Sequence, residues 1–194
     1  MATSSMSTAA SPHASEPLAI VVMGVSGSGK TTVGLRLAEA LGAEFVDGDD
    51  LHTDAARAKM KSGAPLTDED RWPWLDRVGA MLALGKRTIV ACSALRRAYR
   101  DRLRSTAGPK LKFVYLQADP DTMRARVAGR HGHYMPASLV TSQFADLEPP
   151  DGEADVVAVS ADADLAAEIP LLAARVLENA APSPLPASSR GEVG

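Results

Sequence analysis

Eight consecutive residues, Gly24-Val25-Ser26-Gly27-Ser28-Gly29-Lys30-Thr31, constrain this chain more than any other stretch. They satisfy G-x-x-x-x-G-K-[ST] in full, and their flanks matter as much as the pattern. Upstream, Leu18–Met23 (LAIVVM) is a continuous apolar run, as expected of a strand buried on both faces. Downstream, Lys30–Leu41 carries Val33, Leu37, Ala38 and Leu41 at helical spacing and meets a stop at Gly42. A strand that feeds a helix through a glycine-rich turn presents backbone amides at a helix N-terminus, where the dipole also favours negative charge. Glycine lets those amides approach an oxyanion without a Cβ in the way. Gly24, Val25, Ser26, Gly27, Ser28, Gly29, Lys30, Thr31 and Thr32 are therefore candidate ATP-binding residues. Lys30 would reach the β- and γ-phosphates and Thr31 would place its hydroxyl on Mg²⁺. A ligand-free Gly/Ser turn is the bland alternative, and agreement of pattern with context counts against it. The motif does not say whether the phosphoryl acceptor is water, a protein or a metabolite.

The rest of the chain alternates short apolar runs with amphipathic segments. Strands are expected at 43–46, 88–92, 111–116 and 155–159, and helices at 53–61, 68–84, 94–104, 119–129, 137–147 and 162–178. Such alternation predicts a parallel α/β sandwich. Ligands in these sheets bind beyond the carboxyl ends of the strands, so the informative residues follow Met23, Val46, Cys92, Leu116 and Val159. The 194 residues suit one domain, expected over 18–179, with disordered tails at 1–17 and 180–194. The first tail lacks the Lys/Arg and apolar core of a secretory signal, and the second is Pro/Ser-rich. A formal net charge of −3 offers no global basic field for nucleic acid or an anionic membrane, so anion recognition must come from local clusters. No apolar run reaches the roughly 18–20 residues of a membrane helix. The lone Cys92 excludes an intramolecular disulfide framework and fits a reducing, cytoplasmic setting.

The second expected strand ends in Asp47-Gly48-Asp49-Asp50-Leu51-His52. Three carboxylates in four residues repel one another unless a cation or a hydroxyl-bearing ligand joins them. Asp49 is the candidate to accept or orient the proton of an acceptor hydroxyl, and a second candidate for Mg²⁺. A cap on the next helix is the bland alternative for Asp47 or Asp50. His52 would donate to a substrate hydroxyl, or stand exposed in a first helical turn. After the third strand, Ser93 sits where a helix cap belongs, followed by Arg96 and Arg97. A helix dipole disfavours cations there, so an anion is expected beside them. Arg100, Arg102 and Arg104 read as a solvated helix face, and Cys92 as a buried small residue. Thr67 or Asp68 caps the 68–84 helix, Arg71 is a candidate cation near the acceptor pocket, and Trp72 and Trp74 read as packing. Past the fourth strand, Arg124, Arg126 and Arg130 lead into His131-Gly132-His133, a polar segment suited to a lid over the triphosphate. Arg126 would stack on adenine, Arg130 would neutralise the transferring phosphoryl group, and His133 is a further substrate-contact candidate. Cations favoured near a helix C-terminus are the alternative for these arginines.

MGVSGSGKTT, FVDGDDLH, KMKSGAPLTDEDRWPWL, IVACSALRRAYRDRLR and GRHGHYMPASLVTSQFADLEPP together resemble the thermoresistant type of gluconate kinase. The similarity runs from about residue 20 to 176, and CSALRRAYRD and HYMPASLVTSQFADLE are far more specific than the phosphate loop. The resemblance implies a P-loop NTPase of the nucleoside-monophosphate-kinase-like type. That fold is a five-stranded parallel sheet flanked by helices, with a mobile lid near 130–137. It implies ATP- and Mg²⁺-dependent conversion of D-gluconate to 6-phosphogluconate by a homodimer. By position, 24–31 becomes the ATP site, Asp49 the acceptor-hydroxyl contact, and Arg71, Arg96 and Arg97 the region holding the gluconate carboxylate. Arg126 and Arg130 fall at nucleotide and lid positions, and Gln143 matches a family marker whose role the sequence does not give. Two rivals are a shikimate-kinase-like enzyme and a nucleotide-binding regulatory module. Against a GTPase switch, no N/T-K-x-D motif follows the fourth strand. Against a polynucleotide kinase, the chain is acidic and has no basic stripe with aromatics.

Overall fold

The computed structural model describes residues 16–62, 64–128 and 137–178. Residues 1–15 and 180–194 of the expected tails lie outside the described residues, as do the lid positions 130–136 with Arg130 and His133. Five parallel strands form one sheet in the order β2-β3-β1-β4-β5: β1 (Leu18–Met23), β2 (Glu44–Asp47), β3 (Arg87–Ala91), β4 (Leu111–Gln117) and β5 (Val156–Ser160). The helices are α1 (Lys30–Leu41), α2 (Asp54–Lys61), α3 (Asp68–Leu82), α4 (Arg97–Ala107), α5 (Pro120–Ala128), α6 (Ala137–Asp146) and α7 (Leu165–Leu177). A 3₁₀ turn, Gly48–Leu51, follows β2.

Burial explains why β1 is apolar at every position. Ala19, Val21 and Met23 face a core built with Trp74, Leu75, Val78 and Leu82 of α3 and Tyr99 and Leu103 of α4. Leu18, Ile20 and Val22 face the other core, with Val33, Leu37 and Leu41 of α1 and Ile169, Leu172 and Val176 of α7. A central parallel strand has no solvent face, so alternation serves two cores rather than core and water. β1 is also where the strand order reverses, with β3 on one side and β4 on the other. The turn after it opens into the crevice such a reversal creates.

The sequence reading places α4 three residues early, and Ser93 does not cap it. Arg96 is the N-cap, Ala94 takes a left-handed φ of 43°, and the Ser93 carbonyl accepts from Gly24 N–H at 3.3 Å. The cause is Arg100. Its guanidinium, 0% exposed, takes the carbonyls of Ala94 and Leu95 (3.2 and 2.9 Å) and the Glu153 carboxylate (2.5 Å). Helix geometry at 94–95 would aim those carbonyls along the helix instead. The expected solvated face of arginines is corrected for the same reason. Arg104 pairs with Glu153, Asp155 and Asp101, and only Arg102, bound to Asp76, is exposed among the three. The segment between α6 and β5 brings the acids that α4 needs.

Candidate active site

Gly24, Gly27 and Gly29 hold φ of 144°, 85° and 95°, a region that L side chains rarely enter. At Gly24 an added Cβ would also stand 3.0 Å from both the Leu116 carbonyl oxygen and Ser28 Oγ. Gly29 is the N-cap of α1, and no side chain caps that end. Its first turn carries no acidic residue, so the amides of Lys30, Thr31 and Thr32 face an opening with no carboxylate of their own helix. Ser28 Oγ is buried without a hydrogen-bond partner. Lys30 Nζ donates to the Val25 carbonyl at 3.0 Å, folding back over the loop. Amides, a buried hydroxyl and an ammonium form a donor set that suits a triphosphate. For Mg²⁺, Thr31 and Asp49 supply hard oxygens, and no group of three His, Cys, Asp or Glu that could hold a metal occurs among the described residues.

Asp49 is set by its neighbours. Gly48 runs so close to β3 that a Cβ there would collide with the Ala91 carbonyl oxygen. The Gly48 carbonyl accepts from Trp74 Nε1 at 2.6 Å, and Asp47 Oδ1 accepts from Asp49 N–H at 3.1 Å, so Asp47 is the cap. The Asp49 side chain is 81% exposed. Loss of surrounding water raises its pKa, Asp47 and Asp50 add to the rise, and Lys30 opposes it. His52 is not the exposed alternative: it is 4% exposed and stacks on Trp74 with centroids 4.2 Å apart. Burial, with Arg57 and Arg71 nearby, lowers its pKa to about 4, so the ring is neutral at pH 7. Its Nε2 lies 3.9 Å from Asp49 Oδ1.

The arginines divide. Arg96 bonds Asp146 at 2.5 Å and Asp68 at 3.3 Å. The Arg97 amide donates to Glu148 Oε2 at 2.6 Å, while its side chain is 71% exposed with Asp101 at 3.8 Å. Carboxylates of the protein itself therefore lie at the start of α4. Arg71 is held more loosely, with the Tyr99 hydroxyl at 3.2 Å and Asp68 at 3.6 Å. Tyr99 in turn donates to Asp68 Oδ1 at 2.5 Å, and burial together with that carboxylate pushes its phenol up to about 12. Arg126 reaches past the end of β5, to the Ala161 carbonyl (3.2 Å) and Asp162 (2.5 Å). Cys92 is buried, and burial pushes its thiol up to about 12, which removes it as a nucleophile.

A family profile described as an AAA domain matches residues 20–150. The thermosensitive gluconokinase of Escherichia coli (strain K12) is 45% identical over 151 residues, 75% of this chain and 80% of that protein. This chain belongs to the gluconokinase family. The crystal structure of a gluconokinase from Sinorhizobium meliloti 1021 matches with a TM-score of 0.74 and 46% identity, over 83% of this chain and 96% of that one. A shikimate kinase from Acinetobacter baumannii, solved with shikimate, matches with a TM-score of 0.53 and 23% identity, over 84% and 92%. That likeness shows the fold alone.

In this gluconokinase-family chain, sequence reasoning overlooked how the site is supported. Trp74 is the post behind Asp49, and Asp68 and Tyr99 bind Arg71 and Arg96 to one another. Gln143, noted only as a marker, accepts from Ser26 N–H at 2.6 Å. Its signal was available: it shares a helix face with Val140, Phe144 and Leu147, a polar residue on an apolar stripe.

Proposed function

We propose that this protein transfers the terminal phosphoryl group of ATP to the C6 hydroxyl of D-gluconate, giving 6-phospho-D-gluconate and ADP. The observation that carries the reading is a donor-lined helix end with no carboxylate in its first turn, and a solvent-facing carboxyl, Asp49, near enough for Lys30 to shift its titration. The gluconokinase family supplies the substrate. The acceptor oxygen attacks the γ-phosphorus in line, the bond to the bridging β–γ oxygen breaks, and the hydroxyl proton passes to Asp49. The upward shift of Asp49 makes it a better base than an ordinary aspartate. His52, through Nε2, is a neutral partner for a neighbouring hydroxyl. The amides of Gly27 and of 29–32, with Lys30, hold the phosphates, and Thr31 and Asp49 would hold Mg²⁺, which would supply charge neutralisation there. Arg126 and the loop after β5 form one side of the adenine site.

The gluconate carboxylate goes to Arg71 rather than Arg96 or Arg97. Arg71 keeps donors to spare, Arg96 is taken up by two aspartates, and Arg97 lies out in solvent. Arg130 and His133 keep their roles over the phosphoryl group and substrate. The protein acts in the cytoplasm as a homodimer; the single reduced Cys92 suits that compartment. Purified protein with ATP, Mg²⁺ and either gluconate or shikimate provides the test. Formation of 6-phosphogluconate, with shikimate inert, is expected; ATP binding with no product, or turnover of shikimate alone, would overturn the proposal.

A further inference from the structure

One side chain joins α6 to the phosphate loop. Val140, Phe144 and Leu147 pack in a small core with Val25, Leu95 and Met123 beneath that loop. Gln143 lies three residues after Val140 and one before Phe144, on the same face. A carboxamide beside an apolar cluster must find a partner. Its Oε1 accepts from the Ser26 amide at 2.6 Å, across 117 residues of chain. The donor is a backbone N–H, so the amide oxygen is the end that meets it and the NH₂ is left for a second acceptor. Other bonds of the loop run to backbone oxygens, among them Gly24 N–H to Ser93 and both Ser28 N–H and Lys30 Nζ to Val25.

We propose that Gln143 takes part in phosphoryl transfer, its oxygen fixing the Ser26 end of the phosphate loop and its NH₂ donating to the terminal phosphoryl group. The choice of glutamine follows from charge. A glutamate would accept from Ser26 N–H more strongly, since charged acceptors make the tighter bond. It would also set a negative charge against the phosphates. A neutral carboxamide makes the same bond and adds a donor on the side where charge moves during transfer. The proposal deepens the kinase reading and rests on it for the nature of the anion.

The pair Gln143→Glu and Gln143→Ala, made in the full chain, separates this role from a plain structural tie. Gln143→Glu keeps the length and the acceptor. Calorimetric titration with a non-hydrolysable ATP analogue and with ADP, both with Mg²⁺, should show triphosphate affinity falling more than tenfold and ADP affinity falling less. Gln143→Ala should lower kcat about tenfold with the gluconate KM near wild type. Thermal melting establishes that each variant is folded. Wild-type triphosphate affinity in the glutamate variant, equal losses for ADP and triphosphate, or wild-type kcat in the alanine variant would each overturn the proposal. If Gln143→Ala does not fold, the isosteric glutamate variant decides. The titration needs no gluconate, so a wild-type enzyme inactive on gluconate would sink the substrate assignment while leaving this measurement to stand alone.

Discussion

Helices α1 and α4 both begin with no side chain of the N-cap residue bonded to the first turn and no acidic residue in that turn. Helices α2, α3 and α7 instead carry Thr53, Thr67 and Asp164 as caps, α3 with a full capping box to Asp70. By sequence, α1 and α4 look equally in need of an anion, and α4 more so because of Arg96 and Arg97. The structure separates them. Glu148 covers the first amide of α4, and Asp146 and Asp68 hold Arg96. At α1 the loop is lined with glycine, Ser28 Oγ has no partner, and the acidic residue nearest in role is the proposed catalytic one. An uncapped helix end is therefore a site only where the rest of the chain leaves it open.

The largest expected effect tests that contrast directly. Lys30→Ala, at the start of α1, should lower transfer by about 10²–10³-fold, the usual loss for one donor aimed at developing charge. Arg97→Ala, at the same helical position of α4, should leave initial rates within about twofold, since an exposed charge with one distant partner contributes little. Comparable losses at both positions would erase the distinction between the two ends.

The next effect is on stability. Glu153→Ala leaves the guanidinium of Arg100 buried without its carboxylate, at a cost of about 3–5 kcal/mol, read as a lower denaturant midpoint at unchanged slope. Burial pushes the Glu153 carboxyl up, but bonds from Arg100 and Arg104 outweigh it and hold its pKa below the ordinary value. A depressed carboxylate contributes stability that is present above its unfolded pKa and lost as pH falls through the folded one. The wild type should therefore lose stability on acidification below the usual carboxylate range, and the variant should lose less. A midpoint unchanged by the substitution would return these arginines to a solvated face.

Smaller again is the division between Arg71 and Arg96. Losing a hydrogen bond to a charged group costs about 1.5–3 kcal/mol, so Arg71→Ala should raise the gluconate KM about tenfold or more with the ATP KM unchanged. Arg96→Ala should lower the melting temperature more than it raises that KM, because it releases Asp146 and Asp68. The reverse pattern would move the carboxylate clamp to α4.

What was legible in the sequence follows from the range of the interactions. Leu18–Met23, Lys30–Leu41 and the left-handed stop at Gly42 came from local pattern, and the phosphate loop is local too. The acidic end of β2 that carries Asp49 is local as well. Arg100 was read as solvated because Glu153 lies 53 residues away, and no local rule announces a buried ion pair at that separation. The Arg96–Asp146 bond was not legible for the same reason, its partners lying 50 residues apart. His52 was undecided because its burial depends on Trp74, brought over by α3. Local physics fixes elements and their ends; whether a polar group meets water, protein or ligand is decided by the packing of distant segments.

Converting one helix end into the other gives the subtlest test. Glu148→Ala uncovers the Arg97 amide, and loss of such a cap costs about 0.5–2 kcal/mol. The variant then has an open helix N-terminus beside Arg96 and Arg97, the arrangement the sequence suggests for an anion. Sulfate stabilises most proteins by exclusion, so the informative quantity is the difference between variant and wild type at equal sulfate. The variant should gain more in melting temperature than the wild type does, and chloride at matched ionic strength should not reproduce the excess. ATP KM should stay where it was, since α1 is untouched. An equal response to sulfate in both proteins would mean that Asp146 and Asp68 alone satisfy this end of α4. Glu148 would then be a bystander, and the difference between the two helices would rest on the arginine-bound aspartates.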